Sequence, residues 1–183
     1  MTSARASVGL RPVTPDEAAL VSDVALRSYR QHYLHLWHDG GAWYMQHSFD
    51  PAVLRADMAH PNHRYFLVYQ ADTPVGFVKL KIDQPLPGDD TRNALELERI
   101  YLIREATGRG VGSAVLEQLV TFAAGLGKER LWLKAMDSST DAIAFYERNG
   151  FIRCGTHQLD FPVMKPAYRG MVILYRQVSI IDR

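Results

Sequence analysis

The chain has 183 residues, 47% of them hydrophobic and 22% charged, and its 21 basic and 20 acidic side chains leave a formal net charge of +1. This near neutrality disfavours broad binding to a phosphate backbone, which depends on many clustered cations, so no nucleic-acid partner is expected. The apolar content is enough to close a hydrophobic core, and the length predicts one domain over residues 1–183.

Cys154 is the only cysteine, which rules out an internal disulfide and a zinc site built from several thiolates. Residues 1–17 lack the apolar run of a secretory signal. No stretch reaches the roughly 18 apolar residues that a membrane-spanning helix needs. We therefore expect a cytoplasmic protein without a membrane partner.

The N-terminal third predicts a short strand followed by helices. Residues 6–13 fit the strand. Thr14, followed by a proline and two acids, is typical of a helix start, and this helix is predicted to reach about Tyr33. The aromatic, glycine-containing stretch 35–51 fits either a loop or a broken helix, and a short helix is predicted at 51–59.

The rest of the chain alternates strands and helices. A β-hairpin is predicted from strands at 64–71 and 75–83 that are joined at 72–74. Further strands are predicted at 94–103, 129–136, 151–161 and 169–178, and helices at 113–127 and 138–150. This order indicates an α/β protein whose mixed sheet carries helices on both faces, with a parallel crossover through residues 110–126.

A glycine-rich segment, Thr107-Gly108-Arg109-Gly110-Val111-Gly112, lies between a predicted strand and a predicted helix. Glycines allow positive φ and close approach to the backbone, and the free N–H groups of a helix start bind anions, so a pyrophosphate is the expected guest. A Walker loop is excluded because GxxxxGK[ST] is absent, and a Rossmann fingerprint because the spacing is GxGxG, with Ser113 next.

Between about residues 64 and 160 the chain resembles the GNAT superfamily of N-acetyltransferases. The resemblance is carried, in order, by LERIYLI, ATGRGVGSAVLEQL, RLWLKAM and AIAFYERNGF. It implies a mixed, largely antiparallel sheet of about seven strands, with helices on both faces and a splayed acyl-CoA cleft. One position departs from the family pattern, because Thr107 replaces the usual Gln or Arg. Its hydroxyl can still donate to a phosphate, and Arg109 is the nearby cation.

The resemblance implies direct transfer from acetyl-CoA to an amine in a ternary complex. The pantetheine arm is expected to pair with the end of the strand at 94–103, where the N–H of Leu102 would polarise the thioester carbonyl. Ser139 would touch the cofactor, or it is a simple helix cap. The residues expected to bind acetyl-CoA are Ile100, Tyr101, Leu102, Thr107, Gly108, Arg109, Gly110, Val111, Gly112, Ser113 and Ser139.

Three residues are candidates for proton transfer. By resemblance, Tyr146 is the general acid for the departing thiolate, and the alternative is a packing role. Strand alternation predicts Glu96 and Glu98 on one face, with Leu95, Leu97 and Arg99 on the other. Either carboxylate is a candidate base or an attractor of a cationic amine, with Glu98 favoured, and the alternative is a pair of solvated carboxylates.

The acceptor pocket is predicted around Tyr33, Trp37 and Glu98, because GNAT acceptor sites are often built from the helices after the first strand. A plain aromatic core is the alternative for this segment. His32, His35 and His38 do not predict a metal site, since their spacing drifts around a helix.

The expected acceptor is a small-molecule primary amine. The overall pattern also resembles the PaiA-like spermine/spermidine acetyltransferases, which favours a polyamine. Alternatives are a peptide or protein N-acetyltransferase and a non-catalytic acyl-CoA-binding module. A homodimer is a further expectation.

Overall fold

The computed structural model describes residues 7–91 and 93–179. Its strands are β1 (Val8–Pro12), β2 (His63–Gln70), β3 (Thr73–Lys81), β4 (Ala94–Leu102), β5 (Arg130–Met136), β6 (Ile152–Gln158) and β7 (Gly170–Gln177). Its helices are α1 (Ala18–His32), α2 (Ala42–Phe49), α3 (Pro51–Met58), α4 (Val111–Gly125) and α5 (Thr140–Arg148). Every predicted element is present, although residue 6, the first of the predicted N-terminal strand, lies outside the described residues.

The stretch predicted as a loop or broken helix is a broken helix. A 3-10 turn at Leu34–Leu36 is followed by α2. Gly41 has a φ of 87°, which turns the chain before α2 begins. The Asp39 carboxylate accepts hydrogen bonds from the backbone N–H groups of Gly41 and Trp43, at 2.9 and 2.8 Å, and so satisfies donors at the helix start.

The seven strands form one sheet in the order β1-β2-β3-β4-β5-β7-β6. Neighbouring strands are antiparallel except β4 and β5, which are parallel and are joined through α4. The predicted mixed, largely antiparallel sheet and its parallel crossover are therefore confirmed. No helix in the described ranges is long and apolar enough to cross a membrane.

A hydrophobic core lies on each face of the sheet. One core packs against α4 and includes Leu95, Leu97 and Leu119. The other packs against α1, α2 and α3 and includes Phe49 and Phe77. Helices therefore cover both faces of the sheet, as predicted. A cleft can open at the ends of β4 and β5.

Strands β4 and β5 separate after a short paired segment. Their pairing runs from Ala94↔Arg130 to Glu96↔Trp132 and then stops. Beyond it β4 continues to Leu102 and β5 to Met136, each held on its outer side by β3 and β7 respectively. The sheet is therefore splayed between these two strands.

A β-bulge in β4 changes the predicted side-chain alternation. Leu97 pairs with Leu80 of β3 and Arg99 pairs with the preceding residue Lys79, so Glu98 is an additional residue in the ladder. Leu95 and Leu97 face the α4 side, but Arg99 lies over the Phe49 ring on the α1 side. The prediction that Arg99 shares a face with these leucines is wrong, because the bulge resets the alternation.

Candidate active site

A cleft of about 450 Å³ opens where β4 and β5 separate. Its walls come from α1, α2, β4, β5, α5 and β7, together with the connection between β6 and β7. The predicted site residues that line it are Tyr33, Trp37, Glu96, Glu98, Ile100, Tyr101, Ser139 and Tyr146. The fold thus brings the predicted acid, both predicted carboxylates and the predicted aromatic wall to one cavity, whereas Leu102 and residues 107–113 lie outside its lining.

The glycine segment forms the turn that starts α4. Gly108 and Gly110 have φ values of 71° and 79°, a conformation that glycine adopts without strain. Gly110 is the N-cap of α4, and no side chain caps the helix there. Val111 is buried in the α4-side core, and a Cβ on Gly112 would lie 2.9 Å from the Phe145 ring. This turn leaves the backbone N–H groups of the first helical turn available for an anion.

The side chain of Thr107 forms a hydrogen bond within its own turn. Its hydroxyl donates to the carbonyl of Arg104 at 2.7 Å. The expectation that this hydroxyl donates to a phosphate therefore conflicts with its partner in the structure. Arg109 and Ser113 follow on the same turn, Arg109 exposed and Ser113 partly buried.

The end of β4 presents an open backbone edge to the cleft. The N–H of Ile103 donates to the carbonyl of Val75 on the β3 side at 2.8 Å. Successive residues of a strand point their N–H groups to opposite edges, so the N–H of Leu102 points away from β3. The carbonyl of Leu102 contacts Nε2 of His32 at 3.1 Å. Beyond Glu96 this edge of β4 has no pairing with β5, so its backbone as far as the N–H of Leu102 can accept an extended ligand as an added strand.

Tyr146 and Ser139 bring two hydroxyls to the cleft. Burial raises the pKa of Tyr146, and the nearby Tyr33 adds to this, so the phenol keeps its proton at neutral pH. Within the described residues the Tyr146 hydroxyl has no hydrogen-bond partner, although its ring packs against Phe145 and Phe151. Ser139 is the N-cap of α5, but its side chain makes no capping hydrogen bond. Both hydroxyls are therefore available to a ligand.

The two carboxylates differ in environment. Glu96 is 3% exposed, and its Oε1 lies 3.5 Å from Nζ of Lys134. Burial raises the pKa of Glu96, and the cations Lys134 and Lys81 offset only part of this rise. Burial would also raise the pKa of Glu98, but Arg99 and Lys79 lower it to about 2. At neutral pH Glu96 is therefore the stronger base of the two, whereas the sequence favoured Glu98.

A buried ion-pair network explains the low pKa of Glu98. Lys79 of β3 is 4% exposed, and its Nζ lies 2.5 Å from Glu98 and 2.8 Å from Asp57 of α3. Nζ of Lys81 lies 2.8 Å from the other oxygen of Glu98. The hydroxyl of Tyr65 also donates to Asp57. These partners compensate the buried charges and hold Glu98 ionised.

This network predicts an acid-sensitive stability. The pKa of Glu98 is about 2 in the folded protein and near the ordinary 4.5 when unfolded, so its stabilisation is complete above pH 4.5 and is lost as pH falls toward 2. In urea unfolding at about pH 5 and about pH 3, we expect Glu98→Gln to lose less stability between the two pH values than the native chain does. Equal losses would contradict this assignment.

The aromatic segment is both core and cleft wall. Trp37 is 3% exposed, and its Nε1 donates to the hydroxyl of Tyr29 at 2.8 Å. Its ring stacks on Tyr44 with centroids 4.8 Å apart, and Tyr44 meets Phe161 edge to face. These rings also line the cavity, so the two alternatives for this segment hold together.

The histidines of this region do not converge. His32 contacts the carbonyl of Leu102, and the His35 ring packs against Tyr168. In the described ranges no three His, Cys, Asp or Glu side chains are grouped as metal ligands.

Sequence reasoning missed the cations around the two predicted carboxylates. Lys79, Lys81 and Lys134 pair with the two predicted carboxylates, and Arg99 lines the cavity. Lys79 and Lys81 are two residues apart in β3 and therefore lie on one face of that strand. Because β3 pairs with β4, which carries the two glutamates, this spacing could have predicted the ion pairs.

Comparisons with known proteins agree with this geometry. A model of the Acetyltransferase (GNAT) family matches residues 23–151. The chain is 25% identical over 156 residues to the spermine/spermidine N(1)-acetyltransferase of Bacillus subtilis (strain 168), covering 85% of this chain and 93% of that protein. It is 28% identical over 120 residues to an uncharacterized N-acetyltransferase of Lactobacillus delbrueckii subsp. lactis, covering 63% and 67%.

The fold is similar to that of a crystal structure of PaiA N-acetyltransferase from Thermoplasma acidophilum in complex with coenzyme A. The TM-score is 0.71 at 18% identity, and 93% of this chain and 99% of that chain are covered. The family match spans well over half of the chain, and the splayed seven-stranded sheet agrees with it. The chain therefore belongs to the GNAT acetyltransferase family and is an acyl-CoA-dependent N-acetyltransferase.

Proposed function

We propose that this protein moves the acetyl group of acetyl-CoA onto the primary amine of a small molecule, by direct attack in a ternary complex. The observation that carries the proposal is the cleft between β4 and β5. It has a buried carboxylate of raised pKa, Glu96, on one strand and a protonated phenol, Tyr146, on α5. These are the acid and base that amine acylation by a thioester needs.

On the donor side, the turn before α4 and the open edge of β4 suit acetyl-CoA. Uncapped N–H groups at Gly110 and the following residues would hold the pyrophosphate, and the edge from Ile100 to Leu102 would pair with the pantetheine arm. Ser139 lies on the cleft wall with a free hydroxyl that can bind the cofactor. Arg109 is the exposed cation of the turn.

Chemically, each step has a residue suited to it. Glu96 takes a proton from the ammonium group, directly or through water, and the neutral nitrogen attacks the thioester carbonyl carbon. The N–H of Leu102 stabilises the oxygen that becomes negative. The carbon–sulfur bond then breaks, and Tyr146 protonates the departing thiolate. The nitrogen gives up its second proton as the amide forms and so restores the phenol of Tyr146, and Glu96 releases the first proton to solvent. Products are the N-acetylated amine and free coenzyme A.

A polyamine is one candidate for the small-molecule acceptor. The Bacillus subtilis relative is named for spermine and spermidine, and the cleft contains two carboxylates, Glu96 and Glu98. A cationic chain would have to compete with lysines for them, since Lys79, Lys81 and Lys134 already pair with these carboxylates.

The proposed function is tested by free-thiol release from acetyl-CoA with a panel of polyamines, aminoglycosides, amino acids and peptides. Amine-dependent thiol release with one small-molecule class, together with an N-acetylated product by mass spectrometry, is the expected result. Activity confined to peptides or to protein N-termini would replace the small-molecule acceptor. No amine-dependent release from a folded protein that binds acetyl-CoA would refute the proposal.

Replacing Thr107 by arginine should add a cation to the turn before α4, at a position where the family pattern has Gln or Arg. We expect Thr107→Arg to lower the Kd of acetyl-CoA by about threefold to tenfold, because a guanidinium adds a charged hydrogen bond to phosphate. Thr107→Ser is the matched control, since serine can keep the hydroxyl bond to the Arg104 carbonyl. Isothermal titration measures both variants. Equal affinities for the arginine and serine variants would count against the pyrophosphate site at this turn.

A further inference from the structure

Resting on the proposed function, we propose that the amine acceptor also carries a carboxylate, and that the Arg99 guanidinium binds it. Arg99 lines the same cleft as Glu96 and Tyr146. The predicted alternation would have turned it away, and the bulge at Glu98 is what brings it to this side of β4. An acceptor with both groups would place its amine near Glu96 and its carboxylate at Arg99.

Cations outnumber carboxylates around Arg99. The neighbouring pair of Lys134 and Glu96 adds one charge of each sign and leaves this excess unchanged. Lys79, Lys81 and Arg99 are three cations on adjoining strands, and the carboxylates that pair with the two lysines are only Asp57 and Glu98. Both carboxylates are within salt-bridge distance of lysine and not of Arg99. The arrangement therefore has one positive charge in excess, and that charge faces the cleft.

Donors of the guanidinium are also free. In the described part of the chain, Arg99 makes no hydrogen bond and no ion pair. None of its nitrogens is both buried and unpaired, so its donors reach the open space of the cleft. Its carbon Cζ lies 5.3 Å from the centroid of the Phe49 ring, which holds the planar group from behind. A planar fork held in this way matches the two oxygens of a carboxylate.

The remaining walls suit a small amino carboxylate with an apolar side chain. With the reacting amine at Glu96, the remaining carboxylate is Glu98, which already pairs with Lys79 and Lys81, so the cleft offers no free carboxylate to a second ammonium group. Trp43, Tyr44 and Phe161 line the same cavity and would pack on the carbon atoms of a side chain. These features together favour an amino acid over a polyamine.

The test uses acceptor pairs that differ only in the carboxylate. Thiol release is measured with phenylalanine, leucine and methionine, with the amide of each, and with spermidine. We expect at least one acid to exceed its amide in kcat/KM by on the order of tenfold to a hundredfold. The amine of an amide loses its proton more easily than that of the acid, so amine protonation cannot produce this preference.

Arg99→Gln should bring the acid-to-amide ratio close to one, and Arg99→Lys should retain only part of it, because lysine keeps the charge without the fork. Arg30→Gln is the control, since Arg30 is exposed on α1, and it should keep the native ratio. Circular dichroism and thermal unfolding establish that each variant is folded.

Three outcomes would overturn the inference. They are spermidine as the best acceptor, equal rates for acids and amides, and a ratio that Arg99→Gln leaves unchanged. Each of them leaves the proposed N-acetyltransferase function standing. Absence of thiol release with every amine tested would instead refute the proposed function itself.

Discussion

Replacing Tyr146 by phenylalanine is expected to lower kcat by about a hundredfold and to leave the Kd of acetyl-CoA within about threefold. The phenol is the one candidate acid on α5 that lines the cleft, and its raised pKa keeps the proton available at neutral pH. Removing the hydroxyl keeps the ring, whose packing against Phe145 and Phe151 would still support α5. The loss should therefore fall on chemistry and not on binding.

Steady-state thiol release gives kcat for this variant, and isothermal titration gives the Kd. The matched control is Tyr175→Phe, because Tyr175 is a partly buried tyrosine that packs near Trp132 outside the cleft. Its kcat should stay within about threefold of the native value. If Tyr146→Phe turns over at the native rate, the tyrosine has only a packing role.

Glu96→Gln is expected to lower kcat/KM by about a hundredfold, because glutamine cannot accept the proton of the ammonium group. The native enzyme should gain activity as pH rises through the pKa of Glu96, which burial places above that of an ordinary carboxylate. This acidic limb should disappear in the glutamine variant. The profile of kcat/KM against pH measures both effects.

The substitution Glu98→Gln distinguishes the role of Glu98 from that of Glu96. Since Lys79 and Lys81 hold Glu98 ionised, it is a poor proton acceptor at neutral pH. We expect this variant to keep the acidic limb and to lose stability, because a buried lysine loses a partner. An acidic limb that vanishes with Glu98→Gln and persists with Glu96→Gln would reverse the assignment.

Several features could be predicted because their causes are local. The glycines at 108 and 110 predicted a turn and an uncapped helix start, since positive φ values and free N–H groups depend on adjacent residues alone. Hydrophobic periodicity predicted the strands and helices in the right order, including the crossover through α4. The order of motifs predicted the family, which the comparison confirms.

Local sequence patterns predicted the turn of the β-hairpin at the wrong position. Ala71 and Asp72 make it, with a φ of 52° at Ala71, and β3 already begins at Thr73. The sequence had placed the turn at 72–74, on the polar residue and the proline. Pairing of Gln70 with Thr73 decides the position, and that pairing belongs to the whole ladder of β2 and β3.

Predictions of assembly and cellular location rest on the sequence alone. The homodimer, the cytoplasmic location and the single domain over residues 1–183 stay predictions, as do the roles of individual site residues. Size-exclusion chromatography with light scattering measures the first of these directly.

The sequence by itself determined the fold family, the glycine turn before α4 and the residue types of the cleft. Only the tertiary structure decided what those residues face. The bulge at Glu98 turns Arg99 into the cleft, and the distant Lys79 makes Glu98 a paired ion and leaves Glu96 as the carboxylate with the raised pKa. The physical reason is that register and ion pairing join strands far apart in the chain, and a charge acquires its pKa from those neighbours.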